Sequence, residues 1–195
     1  MNFDALFVIV IATIFINNFV LSRFLGLCPF LGVSRNLSSA FGMGMAVIFV
    51  MTIASFVTWP LYHLILARFG ITFLSTIVFI LVIAALVQFV EMVMNKLTPA
   101  LYQALGIYLP LITTNCAILG VAVLNIEDKL TLMEALVQGC SGGIGFTLAL
   151  LLMAGIRERI ELARIPGVFR GIPIALICAG LMSISFLGFA GFTIR

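Results

Sequence analysis

The hydrophobic pattern resolves the chain into six apolar stretches separated by short polar breaks: residues 6–21, 43–66, 71–90, 99–112, 135–156 and 172–192. They are read as six spanning helices. Between the first two lies a shorter apolar piece, residues 24–34, bracketed by Arg23 and Arg35. As a helix its 11 residues would rise about 16 Å, roughly half of the hydrocarbon core of a bilayer. This predicts a re-entrant segment with both ends on one side. A matching piece, residues 113–124, follows Pro110 and runs into the polar stretch 125–134.

The two short pieces match each other in sequence. Cys28-Pro-Phe-Leu-Gly-Val33 and Cys116-Ala-Ile-Leu-Gly-Val121 both read C-x-x-L-G-V. Two further pairs keep the same order. Gly42-Met-Gly44 and Gly143-Ile-Gly145 each open an apolar run, and Leu81-Val-Ile-Ala-Ala-Leu86 resembles Leu176-Ile-Cys-Ala-Gly-Leu181. The chain therefore reads as a duplication, with residues 1–97 as one copy and 98–195 as the other. A unit of three spans ends on the opposite face from where it began, so its copy must sit upside down. The expected fold is an all-α membrane protein of six transmembrane helices in two inverted three-helix repeats, each with a half-membrane segment carrying a cysteine. Such symmetry brings Cys28 and Cys116 toward each other from opposite faces. Irregular backbone at that depth must be covered by protein, which suits the Gly and Pro at Gly26, Pro29, Gly32, Pro110 and Gly120.

Composition fixes the solvent. With 64% hydrophobic and 9% charged residues and a mean hydropathy of +1.32, the 195 residues cannot form a water-soluble globule, and the lipid bilayer is the first partner. Residues 1–4 carry no basic segment and no small-residue cleavage site follows, so the first helix is expected to be retained. Seven Lys and Arg fall in the loops after the first, third and fifth spans, against three on the other side. That asymmetry predicts both termini on the outer face. The net charge of +3 is thereby accounted for by topology and says nothing for nucleic acid.

Four cysteines and one histidine, with no C-x-x-C and no Cys–His pair at finger spacing, argue against a self-contained zinc site or cluster. Cys140 and Cys178 stand alone among small residues and read as packing. Cys28 and Cys116 are paired by the duplication, and from spacing alone packing, a disulfide between repeats and joint metal ligation all stand open. Iron–sulfur clusters take four protein ligands as a rule, so two cysteines would require two more from another chain.

Longer strings carry a resemblance: Asn17-Asn-Phe-Val-Leu21, Phe24-Leu-Gly-Leu-Cys-Pro-Phe30, Gln88-Phe-Val-Glu91, Leu105-Gly-Ile107, Leu109-Pro-Leu-Ile-Thr-Thr-Asn-Cys-Ala117, Gly155-Ile-Arg-Glu158 and Ala179-Gly-Leu-Met182. Over essentially its whole length the chain resembles the RnfA/NqrE family, membrane subunits of the Rnf ion-translocating ferredoxin:NAD oxidoreductase and of the homologous Na⁺-translocating NADH:quinone reductase. Asn17-Asn18 and Pro29 are more similar to the Rnf form. The resemblance implies a bacterial inner-membrane protein paired with an RnfE-type sister of opposite topology, together with iron–sulfur and flavin subunits. It also implies a [2Fe-2S] cluster shared by the pair, with Cys28 and Cys116 as this chain's ligands, and electron transfer coupled to Na⁺ or H⁺ movement. The chain is then part of a redox-driven translocase without an NAD or flavin site of its own. Other readings are the quinone-reductase E subunit or, in another class, a secondary transporter without a cluster.

Several polar residues in the apolar sequence are candidates for supporting the cysteines or an ion path. Thr113, Thr114 and Asn115 precede Cys116, backbone N–H groups around Gly26 and Gly32 are further candidate donors to the sulfurs, and Asn17 and Asn18 end the first span. Gln88 and Glu91 share a helical face near the end of the third span. His63, after Trp59-Pro60, is expected at the outer interface, and 139–145, rich in glycine, is read as close helix packing rather than a nucleotide loop.

Overall fold

A computed structural model describes residues 3–34, 36–97, 109–163 and 165–191. Among these residues the chain is helical, with no strand. Helix α1 (Phe3–Ile11) widens into a π turn at Ala12–Ile16. A loop leads to the short α2 (Leu27–Val33). Helix α3 (Leu37–Leu61) passes Pro60 and continues through a second π turn, Tyr62–Leu66, to Phe69. Then come α4 (Ser75–Leu97), α5 (Leu109–Thr113), α6 (Cys116–Glu127), α7 (Leu132–Glu161) and α8 (Ile172–Leu187).

Among the described residues four apolar stretches are long enough to cross a membrane, Leu37–Phe69, Thr72–Val93, Pro110–Glu127 and Leu132–Glu161, and Leu6–Ile16 and Ile172–Leu187 are shorter. Pro110–Glu127 is not one continuous helix but α5 and α6 with a break at Thr114 and Asn115. The all-helical membrane fold expected from the pattern is thus present, with altered boundaries. The first span stops at Ile16, because Asn18 turns the chain: its Oδ1 accepts from the N–H groups of Val20 and Leu21, and its Nδ2 donates to the carbonyls of Ile14 and Gly145. The polar stretch 125–134 is mostly helical. Asn125 belongs to α6, and α7 begins at Leu132, where the Thr131 N–H donates to the Glu134 carboxylate at 2.9 Å. Most of the expected span 99–112, with Leu105-Gly-Ile107, lies outside the described residues, as do Arg35, Arg164 and Arg195.

The centre of the molecule is the antiparallel pair α3 and α7, and glycine is what lets them approach. A Cβ on Gly143 would sit 2.6 Å from Ile48 Cα, and one on Gly44 would sit within 3 Å of the Thr147 side chain. Gly139 faces Ser55 in the same way. Close backbone approach of this kind is how helices associate where no water is expelled. Phe30, Met43, Met51, Phe146, Leu150 and Met153 fill the core around the pair and are fully buried.

Candidate functional site

The two cysteine segments enter the core from opposite ends of the α3–α7 pair. At one end, Arg157 of α7 donates through Nη1 to the Leu31 carbonyl (2.7 Å) and Ser34 Oγ (2.9 Å), fastening the C-terminal end of α2 beside the start of α3. At the other end, Asn125 Nδ2 of α6 donates to Ser55 Oγ at 3.1 Å, and Trp59 Nε1 donates to the Leu130 carbonyl just beyond α6. Helices of 7 and 12 residues rise about 10 and 18 Å, which together match the roughly 28 Å of helix rise along α3 from Asn36 to Ser55. The two short helices therefore meet N-terminus to N-terminus.

At the junction the Gly26 N–H donates to Cys116 Sγ, with 2.9 Å between nitrogen and sulfur. Cys28 lies two residues beyond Gly26, in the first turn of α2, and Cys116 is the first residue of α6. Position 26 requires glycine twice over. Its φ is +82°, and a Cβ there would meet Phe146 Cε2 at 2.8 Å, Asn115 Oδ1 at 3.1 Å and Ala117 Cβ at 3.2 Å. Phe24, two residues earlier, also has a positive φ of 55°, an unfavourable conformation for a bulky side chain. The backbone before Cys28 is bent to reach Cys116.

Both cysteines are exposed residues. A groove of about 380 Å³ runs beside Cys116, lined by Ile80, Ile83 and Ala84 of α4 and by Thr113, Thr114, Asn115 and Leu119. Among the described residues no group of three or more His, Cys, Asp or Glu comes together. Three features of the junction suit a thiolate-bound cluster: two exposed cysteines, a backbone N–H aimed at the sulfur of one of them, and a buried amide donor, Asn115 Nδ2, without a partner among the described residues.

The remaining candidates are distributed unevenly. Asn115 is buried and caps α6, its Oδ1 accepting from the Ala117 N–H at 3.0 Å. Thr114 is exposed and donates to the Pro110 carbonyl, and Thr113 is half-buried at the end of α5. Asn18 is buried with both amide atoms engaged, beside Phe146 through Gly145, while Asn17 is exposed. Glu91 is half-buried on α4, seven residues past the Ala84 that lines the groove, or about 10 Å along the axis. It is not brought to the cysteines. His63 is exposed and stacks on Trp59 at 4.2 Å between ring centroids. Cys140 on α7 and Cys178 on α8 are half-buried. Sequence reasoning missed Arg157 as the clamp on the Cys28 segment, since its contacts lie more than 120 residues away and no local motif announces them.

The fold and the site together define a multi-pass α-helical membrane protein with a pair of cysteine-bearing half-helices at its core. The family described as "Rnf-Nqr subunit, membrane protein" matches residues 6–193, and the chain belongs to that family. It is 59% identical over 186 residues to the A subunit of the ion-translocating oxidoreductase complex of Syntrophotalea carbinolica, covering 95% of this chain and 96% of the relative. It is 57% identical to the A subunit of the Na⁺-translocating ferredoxin:NAD⁺ oxidoreductase complex of Acetobacterium woodii, covering 94% and 95%. The corresponding protein of the ion-translocating oxidoreductase complex of Cronobacter sakazakii is 56% identical, covering 93% and 94%.

Proposed function

We propose that this chain is the A subunit of an ion-translocating ferredoxin:NAD⁺ oxidoreductase of the bacterial inner membrane, and that it holds half of a [2Fe-2S] cluster shared with a sister protein of opposite topology. The observation that carries the reading is the Gly26 N–H to Cys116 Sγ contact, which joins two cysteine segments arriving from opposite ends of the molecule. The names of the relatives support the complex; the donor set supports the cluster.

When bound, such a cluster supplies one-electron transfer inside a barrier that excludes charge. The chain's own residues then have separable tasks. Cys28 and Cys116 offer two sulfurs on an exposed face, where a second chain can offer two more. The Gly26 N–H is aimed at Cys116 Sγ, and Cys116 stands at the N-terminus of the 12-residue α6, where the helix dipole favours a negatively charged group. Arg157 and Ser55 hold the far ends of the two half-helices against the long helices. Residues 1–97 and 98–195 form inverted repeats with both termini outside, and rearrangement of these repeats accompanies Na⁺ or H⁺ movement.

Iron and acid-labile sulfide in the complex of this chain with its membrane partner test the reading. Two irons per pair are expected, lost in Cys28→Ser and in Cys116→Ser but kept in Cys140→Ser and Cys178→Ser. A complex that moves ions at full rate without iron would overturn it in favour of a transporter.

A further inference from the structure

The Asn115 side chain has one half of its hydrogen-bonding capacity accounted for. Its Oδ1 accepts from the Ala117 N–H and caps α6. Because that partner is a backbone donor, the amide cannot be flipped, and its orientation is fixed. The other half is anomalous. Nδ2 is buried, in a residue 3% exposed, and has no hydrogen-bond partner among the described residues. A buried donor left unpaired forfeits its hydration and is destabilising. A cap alone does not require that sacrifice, since serine caps about as well as asparagine and carries no second buried donor of this kind.

The surroundings offer few acceptors. Asn115 immediately precedes Cys116, lies against Gly26, and shares the Cys116 groove with Thr113, Thr114 and apolar residues of α4. Thr114 Oγ1 is directed to the Pro110 carbonyl. Cys116 Sγ, on the residue next to Asn115, accepts from the Gly26 N–H, so one donor is already directed at this sulfur.

Resting on the shared-cluster reading above, we infer that Asn115 Nδ2 donates a hydrogen bond to a sulfur of the group held by Cys28 and Cys116, making Asn115 a positioning residue that raises its reduction potential. A hydrogen bond to sulfur withdraws electron density and favours the reduced, more negative form. Removing the donor therefore shifts the midpoint potential downward.

Two variants separate the donor from the cap. Asn115→Ala removes both, whereas Asn115→Ser retains a capping oxygen and removes the amide. Redox titration followed by EPR, on the complex with the membrane partner, is expected to show a lowered potential in both variants with the cluster signal retained. Exchange into D₂O should reveal, besides the coupling of the Gly26 N–H that all forms keep, a second exchangeable-proton hyperfine coupling in the wild type that both variants lack. A Ser variant matching the wild type in potential and coupling would reduce Asn115 to a cap and overturn the inference, leaving the cluster itself untouched. A wild-type complex with no iron signal would instead overturn the underlying reading, and this inference with it.

Discussion

Gly26 is the residue on which the junction turns. Its N–H reaches Cys116 Sγ only because the backbone takes φ +82° and because Phe146, Asn115 and Ala117 close over the missing side chain. Gly26→Ala imposes a left-handed penalty of about 1–2 kcal/mol and overpacking of about 1–3 kcal/mol. The expected outcome is a clear drop in thermal midpoint of the detergent-solubilised protein, with loss of iron from the complex. Unchanged stability and iron would show that the close approach is not needed. At this scale the sequence points to the residues that matter, and to the backbone N–H groups around Gly26 as donors to sulfur, but not to which sulfur receives them. The repeated C-x-x-L-G-V motif marks Cys28 and Cys116. That a glycine two residues before the first cysteine binds the second depends on the meeting of two segments 90 residues apart, which no local pattern encodes. Asn18 is visible as a polar residue in apolar sequence, but its use as a backbone clamp on Gly145 is not.

Among the elements, the half-helices depend on long helices distant in sequence. The α2 end is tied by Arg157 of α7, and the α6 end by Ser55 of α3. Arg157→Met leaves the Leu31 carbonyl and Ser34 Oγ without a charged donor, an interaction worth about 1.5–3 kcal/mol. The Cys28 segment should then exchange amide hydrogens faster than in the wild type, while the Cys116 segment stays protected. Equal protection of both would contradict the clamp. The α3–α7 contact gives a matched pair of variants on one helix. Gly143→Ala drives a Cβ into Ile48 Cα and should cost about 1–3 kcal/mol. Gly155→Ala meets nothing within 4 Å and should cost nothing measurable by thermal unfolding. The apolar pattern locates these helices well, since hydrophobic length alone sets a span. It misplaces their ends, because Asn18, the Thr131–Glu134 cap and the break before Cys116 terminate helices through hydrogen bonds rather than through polarity.

At the scale of the whole molecule, the exposed surface is itself apolar, with Phe7, Phe49, Phe73, Leu81 and Phe89 all more than half exposed, as expected where lipid or another membrane protein is the solvent. Cys28 and Cys116 are both exposed residues of this surface, which is why the site reads as half of something. Composition and the count of spans suffice for the membrane class and for the head-to-head entry of the half-helices; chain partners, by contrast, leave no trace in one sequence beyond family resemblance. The most direct test of the shared cluster is low-temperature EPR of the dithionite-reduced complex of this chain with its membrane partner, beside Cys28→Ser and Cys116→Ser. The account predicts a reduced [2Fe-2S]-type signal in the wild type that disappears in either variant. A signal that persists in both variants, or a fully active wild-type complex with no signal, would contradict it.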